Sequence, residues 1–206
     1  FLDSNLVFDR GRHRLAGVRI DGLEEITEWL DPELIKIQAT LDGTFAGRNV
    51  KLIDWDAASR RFLALVSSGA DPGRYYLFDR TDNQLTQIAR RAPWVDTDET
   101  NVSEPFAFET SEGVHLTGYL TLPRTPRADP PPLLVYCHGG PWQRDEPGFN
   151  PDAQVLAAMG FVVVQVNYRG SAGFGTRFRE AIREDLDRLP ISDIRATIAW
   201  VAAQHK

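Results

Sequence analysis

Two short, nearly all-apolar runs, Leu133–Cys137 and Phe161–Val166, constrain this chain more than any other feature in it. Runs of that length and purity are strands buried on both faces, as in a sheet covered by helices. Between them a helix is marked at both ends, with Asn150 as N-cap, Pro151 at the first position and Gly160 closing it. Its expected buried side is Val155, Leu156 and Met159. A second helix of mixed polarity is expected over Thr176–Asp185. Ser192 is expected to cap a third, in which Ile194, Ile198 and Val201 form one stripe facing the sheet, with Trp200 at its flank. Residues 106–206 therefore read as the N-terminal portion of an α/β domain, entered by a hairpin of Phe106–Phe108 and Val114–Leu122.

The first half has a different grammar. Val50–Trp55, Arg61–Ser67, Arg74–Phe78 and Gln84–Ile88 alternate as strands, separated by turns rich in Gly, Asp, Asn and Ser. Four antiparallel strands in about 40 residues is the size of one β-propeller blade. Ser4–Phe8 and Leu15–Ile20 are expected as strands of a preceding blade, and Pro32–Leu41 as a helical insertion in which Leu34, Ile37, Gln38 and Leu41 follow an approximate helical spacing. The expected fold is thus mixed: β-propeller blades over residues 1–95, a polar linker over 96–105, then the start of an α/β-hydrolase domain. Alternation alone does not count blades, and a sandwich or small meander fits the same pattern.

The chemistry concentrates where the two apolar strands end. The first runs into His138, Gly139, Gly140, Pro141 and Trp142; the second into Asn167, Tyr168, Arg169, Gly170, Ser171, Ala172, Gly173, Phe174 and Gly175. The carboxyl edge of an open α/β sheet is where ligands bind. Paired glycines let backbone N–H groups face a cavity without a Cβ in the way, as stabilising a tetrahedral oxyanion requires. A glycine-rich loop after an early strand supplies one such donor in esterase-type sites.

These two stretches, together with the hairpin ending Tyr119-Leu120-Thr121-Leu122-Pro123, resemble the opening of the catalytic domain in the acylaminoacyl-peptidase-like branch of the prolyl oligopeptidase family. The resemblance is close from Phe106 to Gly175 and architectural before that. It implies a β-propeller capping an α/β-hydrolase that cleaves short peptides through a Ser, Asp, His triad. It also implies that the backbone at Gly139 and Gly140 supplies an oxyanion donor. Several relatives carry a tyrosine where this chain has His138, so His138 is expected to brace the loop or touch substrate, as is Trp142. Arg169 matches a family arginine that braces loops near the site.

No GxSxG nucleophile elbow occurs anywhere in the chain. Its nearest imitation, Arg169-Gly170-Ser171-Ala172-Gly173, has arginine in place of the first glycine and follows the wrong strand, so Ser171 reads as a loop residue. His13, His115 and His205 are not placed to act as a base, Asp193 reads as a helix N-terminal charge, and Asp145 with Glu146 reads as a solvated acidic pair. No residue of a catalytic triad is therefore expected in this chain, and these 206 residues are expected to be inactive alone. A fragment of an esterase and a noncatalytic propeller-type binding module are the alternatives.

The remaining expectations are exclusions. A net charge of -6 without blocks of like charge argues against a nucleic-acid or anionic-membrane partner, leaving a peptide substrate and, through an open sheet edge, an oligomer. No run approaches the roughly 20 apolar residues of a membrane span. A single cysteine, Cys137, gives neither an internal disulfide nor a thiolate zinc site, and neither metal nor cofactor is expected. Localisation is open, with the cytoplasm favoured. The first residues have neither an initiating Met nor a signal-peptide pattern, so the chain is expected to start inside a longer protein.

Overall fold

The computed structural model describes residues 5–140 and 142–204, which divide into two units. The first contains the described residues up to Asp21 together with Glu25–Asp98. It opens with a three-stranded antiparallel sheet of β1 (Leu6–Asp9), β2 (Arg14–Asp21) and β3 (Glu25–Trp29). The start of the expected first strand, Ser4, lies outside the described residues. β3 was not expected, because Glu25, Thr27 and Glu28 mask its alternation; it is selected by pairing with β2, Ile26 opposite Ile20 and Trp29 opposite Gly17. α1 (Pro32–Thr44) follows, with Asp31 as N-cap accepting from the Glu33 amide at 2.8 Å. It buries Leu34, Ile37 and Leu41, the positions its spacing selects. β4 (Asn49–Trp55), β5 (Arg61–Ser68), β6 (Asp71–Asp79) and β7 (Gln84–Arg90) then form an antiparallel meander in sequence order. Phe62, Ala64 and Val66 of β5 pack beneath α1 in one core with Leu34 and Leu41.

The second unit runs from Glu99 onward, with Gly22–Glu24 grouped to it. Its strands are β8 (Val102–Glu109), β9 (His115–Leu122), β10 (Leu133–Val135) and β11 (Val162–Asn167), in the spatial order β10-β11-β9-β8. β10 and β11 are parallel, while β9 and β8 run antiparallel to their neighbours. Val102–Pro105, expected as linker, belong to β8 and pair with Leu122–Tyr119. Pro105 is tolerated because β8 is an edge strand, where its missing N–H forfeits no ladder bond. β11 is buried throughout, and each fully buried valine there stabilises the fold by about 1.5–3 kcal/mol.

The crossover helix α2 (Pro151–Ala158) starts as expected, with Asn150 Oδ1 accepting from the Ala153 amide at 3.0 Å. Of the expected face, Leu156 packs toward the sheet, but the rest differs. Val155 and Met159 are 62% and 57% exposed, and Ala153 and Ala157 pack against Val163 instead. Two alanines let a short helix sit close over the sheet, a proximity that longer side chains would prevent.

Beyond β11 the expected second helix is α3 (Thr176–Glu180) followed by a 3-10 turn, Ala181–Arg183. The last helix, α4 (Leu189–Gln204), begins before Ser192, so Ser192 is not its cap. Of the expected stripe on α4, Val201 is buried and Ile194 packs against the same core, while Ile198 is exposed and the polar Asp193 and Thr197 are buried instead. Trp200 stacks on Phe106 and Phe108, with ring centroids 5.3 and 5.0 Å apart. Among the described residues no helix is long and apolar enough to cross a membrane.

Candidate active site

Because β10 and β11 are parallel neighbours, the segments leaving their carboxyl ends emerge side by side. The β10 segment begins with Tyr136, whose N–H still donates to Val164 O, and continues through His138, Gly139 and Gly140; Pro141 lies outside the described residues. Both glycines are exposed, and among the described residues neither of their N–H groups donates to any acceptor. The two differ in how strictly glycine is required. Gly140 has φ +134, and a Cβ there would stand 2.8 Å from Trp142 N and 2.9 Å from Gln143 N. A Cβ on Gly139 would meet only Gln143 Oε1, at 3.5 Å.

His138 is not an isolated donor; it is clamped. Its ring stacks on Tyr168 at 4.4 Å and 12°, and Tyr168 Oη donates to His138 O at 3.0 Å. His138 Nε2 lies 2.8 Å from Ser171 Oγ, and Nδ1 lies 2.8 Å from Gly139 O. Ser171 is fully buried, and its Oγ donates to Tyr168 O at 2.7 Å. A hydroxyl enclosed in this way, with its proton held by a carbonyl, locks the two loops and has no access to a substrate carbonyl.

Arg169 likewise faces inward. Its Nε and Nη2 engage both oxygens of Asp193 at 2.7–3.0 Å, its backbone N–H donates to Asp193 Oδ2 at 2.8 Å, and Nη2 also reaches Ser192 Oγ. The hydrogen bonds to Asp193 raise the guanidinium pKa above its ordinary value. Asp193, expected to be a terminal helix charge, is instead 1% exposed and forms the buried half of an ion pair fastening α4 to the β11 loop. The physical reason is the fork of Arg169, which satisfies a carboxylate that burial alone would make costly.

Asp145 corrects a second reading. Rather than being solvated it is 6% exposed, whereas the Glu146 side chain remains 63% exposed. Asp145 Oδ1 accepts from Gln165 Nε2 at 2.7 Å, and its N–H donates to Asn167 Oδ1 at 2.8 Å. Burial pushes its carboxyl above the ordinary Asp range, against the opposing pull of the Gln165 hydrogen bond and of nearby His138 and Arg144. Burial also raises the Cys137 thiol, with Asp145 adding to the shift. Gln165 did not stand out as functional in sequence, and Asn167 only as the start of the second loop, although two amides spaced two apart in an otherwise apolar strand put polar groups on one sheet face.

Further contacts join the loops. The Ala172 N–H donates to Gln143 O at 2.9 Å, and the Arg144 guanidinium lies 4.7 Å above the Phe174 ring. Gly173 leaves the room this needs, since a Cβ there would fall 2.3 Å from Arg144 Nη1. Trp142 is 48% exposed, with the Arg183 guanidinium 5.1 Å from its ring. Of the other histidines, His115 is exposed at the start of β9, opposite Glu109, and His205 lies outside the described residues.

Comparison with known proteins places this geometry. Over 95% of its length the chain is 28% identical to dipeptidyl aminopeptidase BIII of Pseudoxanthomonas mexicana, covering 29% of that protein. A puromycin-hydrolysing peptidase of Mycobacterium tuberculosis shares the fold over 97% of this chain and 30% of its own, with a TM-score of 0.68 and 21% identity. An acylaminoacyl peptidase of Pyrococcus horikoshii superimposes over 70% of this chain and 23% of its own, with a TM-score of 0.56 and 25% identity. The chain thus spans less than a third of the length of each of these relatives. Residues 147–205, which include α2, β11 and the Arg169–Asp193 pair, match the prolyl oligopeptidase family.

Proposed function

We propose that this chain supplies the oxyanion side of a peptidase that hydrolyses short peptide amides, with the catalytic serine, aspartate and histidine lying outside these 206 residues. The observation that carries the reading is the pair of exposed amides at Gly139 and Gly140, unengaged among the described residues and held at the carboxyl end of β10 by a backbone that only glycine tolerates at 140. When a serine attacks a peptide carbonyl, negative charge gathers on the carbonyl oxygen. A donor fixed beforehand stabilises that charge without reorganising, and one such donor lowers the barrier by about 3 kcal/mol. Arg169, His138 and Ser171 take the role of bracing this loop and its neighbour, and the exposed Trp142 ring that of flanking the substrate.

In this reading β8 and residues 106–206 are the N-terminal portion of an α/β-hydrolase domain, 96–101 the linker, and 1–95 the end of a β-propeller. The four-stranded meander β4–β7 has the size and order of one blade. The relatives' names speak of dipeptidyl, acylaminoacyl and puromycin-hydrolysing peptidases, which favours substrates cleaved close to one end.

The test is turnover of a chromogenic aminoacyl anilide together with fluorophosphonate labelling. The 206-residue chain is expected to be silent in both. A longer natural form carrying a GxSxG elbow after this segment is expected to be active and labelled. Robust turnover by the 206 residues alone would overturn the assignment.

A further inference from the structure

Backbone amides that must meet a developing oxyanion need an anchor on each side of them, because a small misplacement removes most of their effect. On the near side of Gly139 that anchor is His138, clamped by Tyr168 and Ser171. We propose that Asp145 is the anchor on the far side: a positioning residue that ties the segment after Gly140 to the end of β11 and so fixes the Gly139 and Gly140 amides. Its catalytic meaning rests on the peptidase reading above.

Three observations converge on Asp145. Its carboxyl accepts from Gln165 and its N–H donates to Asn167, two residues on the same face of β11 that are themselves buried. The preceding residues are held as well, Gln143 through Ala172 and Arg144 over Phe174, so three consecutive positions grip β11 and the loop that follows it. Finally, Asp145 Oδ2 is buried and has no hydrogen-bond partner among the described residues, nor has the neighbouring Arg144 Nη1. A carboxyl gains nothing from such a position by itself. Glu146, one residue on, extends to solvent as an unconstrained acid does. What keeps Asp145 inside is its pair of bonds to β11. The bond from Gln165 requires an acceptor at Oδ1 but no negative charge, so asparagine can replace aspartate there and alanine cannot.

The experiment is amide hydrogen exchange, followed by NMR, on the 206-residue chain and its Asp145→Ala and Asp145→Asn variants. In Asp145→Ala the hydrogen-bonded amides of residue 145 and Ala172, which tie this segment to β11 and the loop after it, are expected to exchange about tenfold faster or more, with β9 and β11 unchanged. In Asp145→Asn they are expected to stay within about twofold of the parent. Parent-like exchange in Asp145→Ala, or equal acceleration in both variants, would overturn the proposal. If Asp145→Ala loses β9–β11 protection altogether, Gln165→Met decides. It removes only the donor to Oδ1, and acceleration confined to the same two amides supports the anchor, while parent rates overturn it.

The kinetic arm uses a form of the protein that carries a nucleophile. There Asp145→Ala is expected to lower kcat about tenfold or more with KM within about threefold, and Asp145→Asn to restore kcat. Absence of turnover in the parent form would refute the peptidase reading and leave the exchange result standing.

Discussion

Replacing Asp193 by alanine removes the carboxylate that receives the Arg169 backbone N–H, Nε and Nη2. Two groups then lack their acceptor: a backbone N–H at the start of the β11 loop, and a guanidinium whose side chain is 16% exposed. Truncating one partner of a buried ion pair costs about 3–5 kcal/mol. The lower end applies here, because Arg169 retains Ser192 Oγ and a 3.5 Å approach to the exposed Glu112, and has partial access to water. The expected loss is therefore about 3 kcal/mol, roughly a hundredfold in the unfolding equilibrium. Urea unfolding followed by 19F NMR of fluorotryptophan reads it locally, since Trp200 lies on the same helix and stacks on Phe106 and Phe108. A resolved Trp200 signal also separates this unit from the first, whose transition need not coincide. The double variant Arg169→Met, Asp193→Leu is expected to lose less than either half of the pair alone, because it leaves no unpaired buried charge. A loss below about 1 kcal/mol for Asp193→Ala, with an unchanged denaturant slope, would refute the claim that this pair fastens α4.

Three further substitutions are diagnostic. Gly140→Ala is expected to cost about 1–3 kcal/mol in a thermal melt, since φ is +134 and Trp142 N and Gln143 N crowd the new Cβ; Gly139→Ala, with room around it, is expected to be nearly neutral. Asp145→Asn tests the raised carboxyl pKa. The stability contributed by a raised acid is complete below the unfolded value near about pH 4 and declines as pH rises through the folded value, so the variant's stability relative to the parent should increase over that interval. A difference that stays flat with pH in chemical denaturation contradicts the burial. Ser171→Ala is expected to cost about 1–2 kcal/mol by loss of its bonds to Tyr168 O and His138, yet to leave fluorophosphonate labelling of an active form intact; loss of labelling with the fold preserved would make Ser171 the nucleophile.

What could be read from the sequence was the part that local physics controls. Asn150, Pro151 and Gly160 delimit α2 because capping and φ preferences act within a few residues, and α1 shows its buried face because thirteen residues give the helical period room to repeat. The strand–helix–strand unit and the two loops at its carboxyl edge followed from pattern and topology in the same way. The family too was legible there, in the glycine loop at 139–140 and its partner at 167–175, and the match over 147–205 agrees with it.

Only tertiary structure decided where the polar groups go. Asp193 becomes the core of an ion pair because the chain brings back an arginine 24 residues away, and Asp145 is drawn inward by two amides on β11, 20 and 22 residues on. α2 turned alanines rather than Val155 and Met159 to the sheet because eight residues are too few for periodicity to outweigh close packing. Capping, turn and strand preferences are written in neighbouring residues, so the sequence by itself determined most elements, β3 excepted, and the glycine loop between them. Whether a carboxylate is solvated or buried depends on the partner that folding places against it, so the bracing of that loop was decided only when β10 and β11 came side by side.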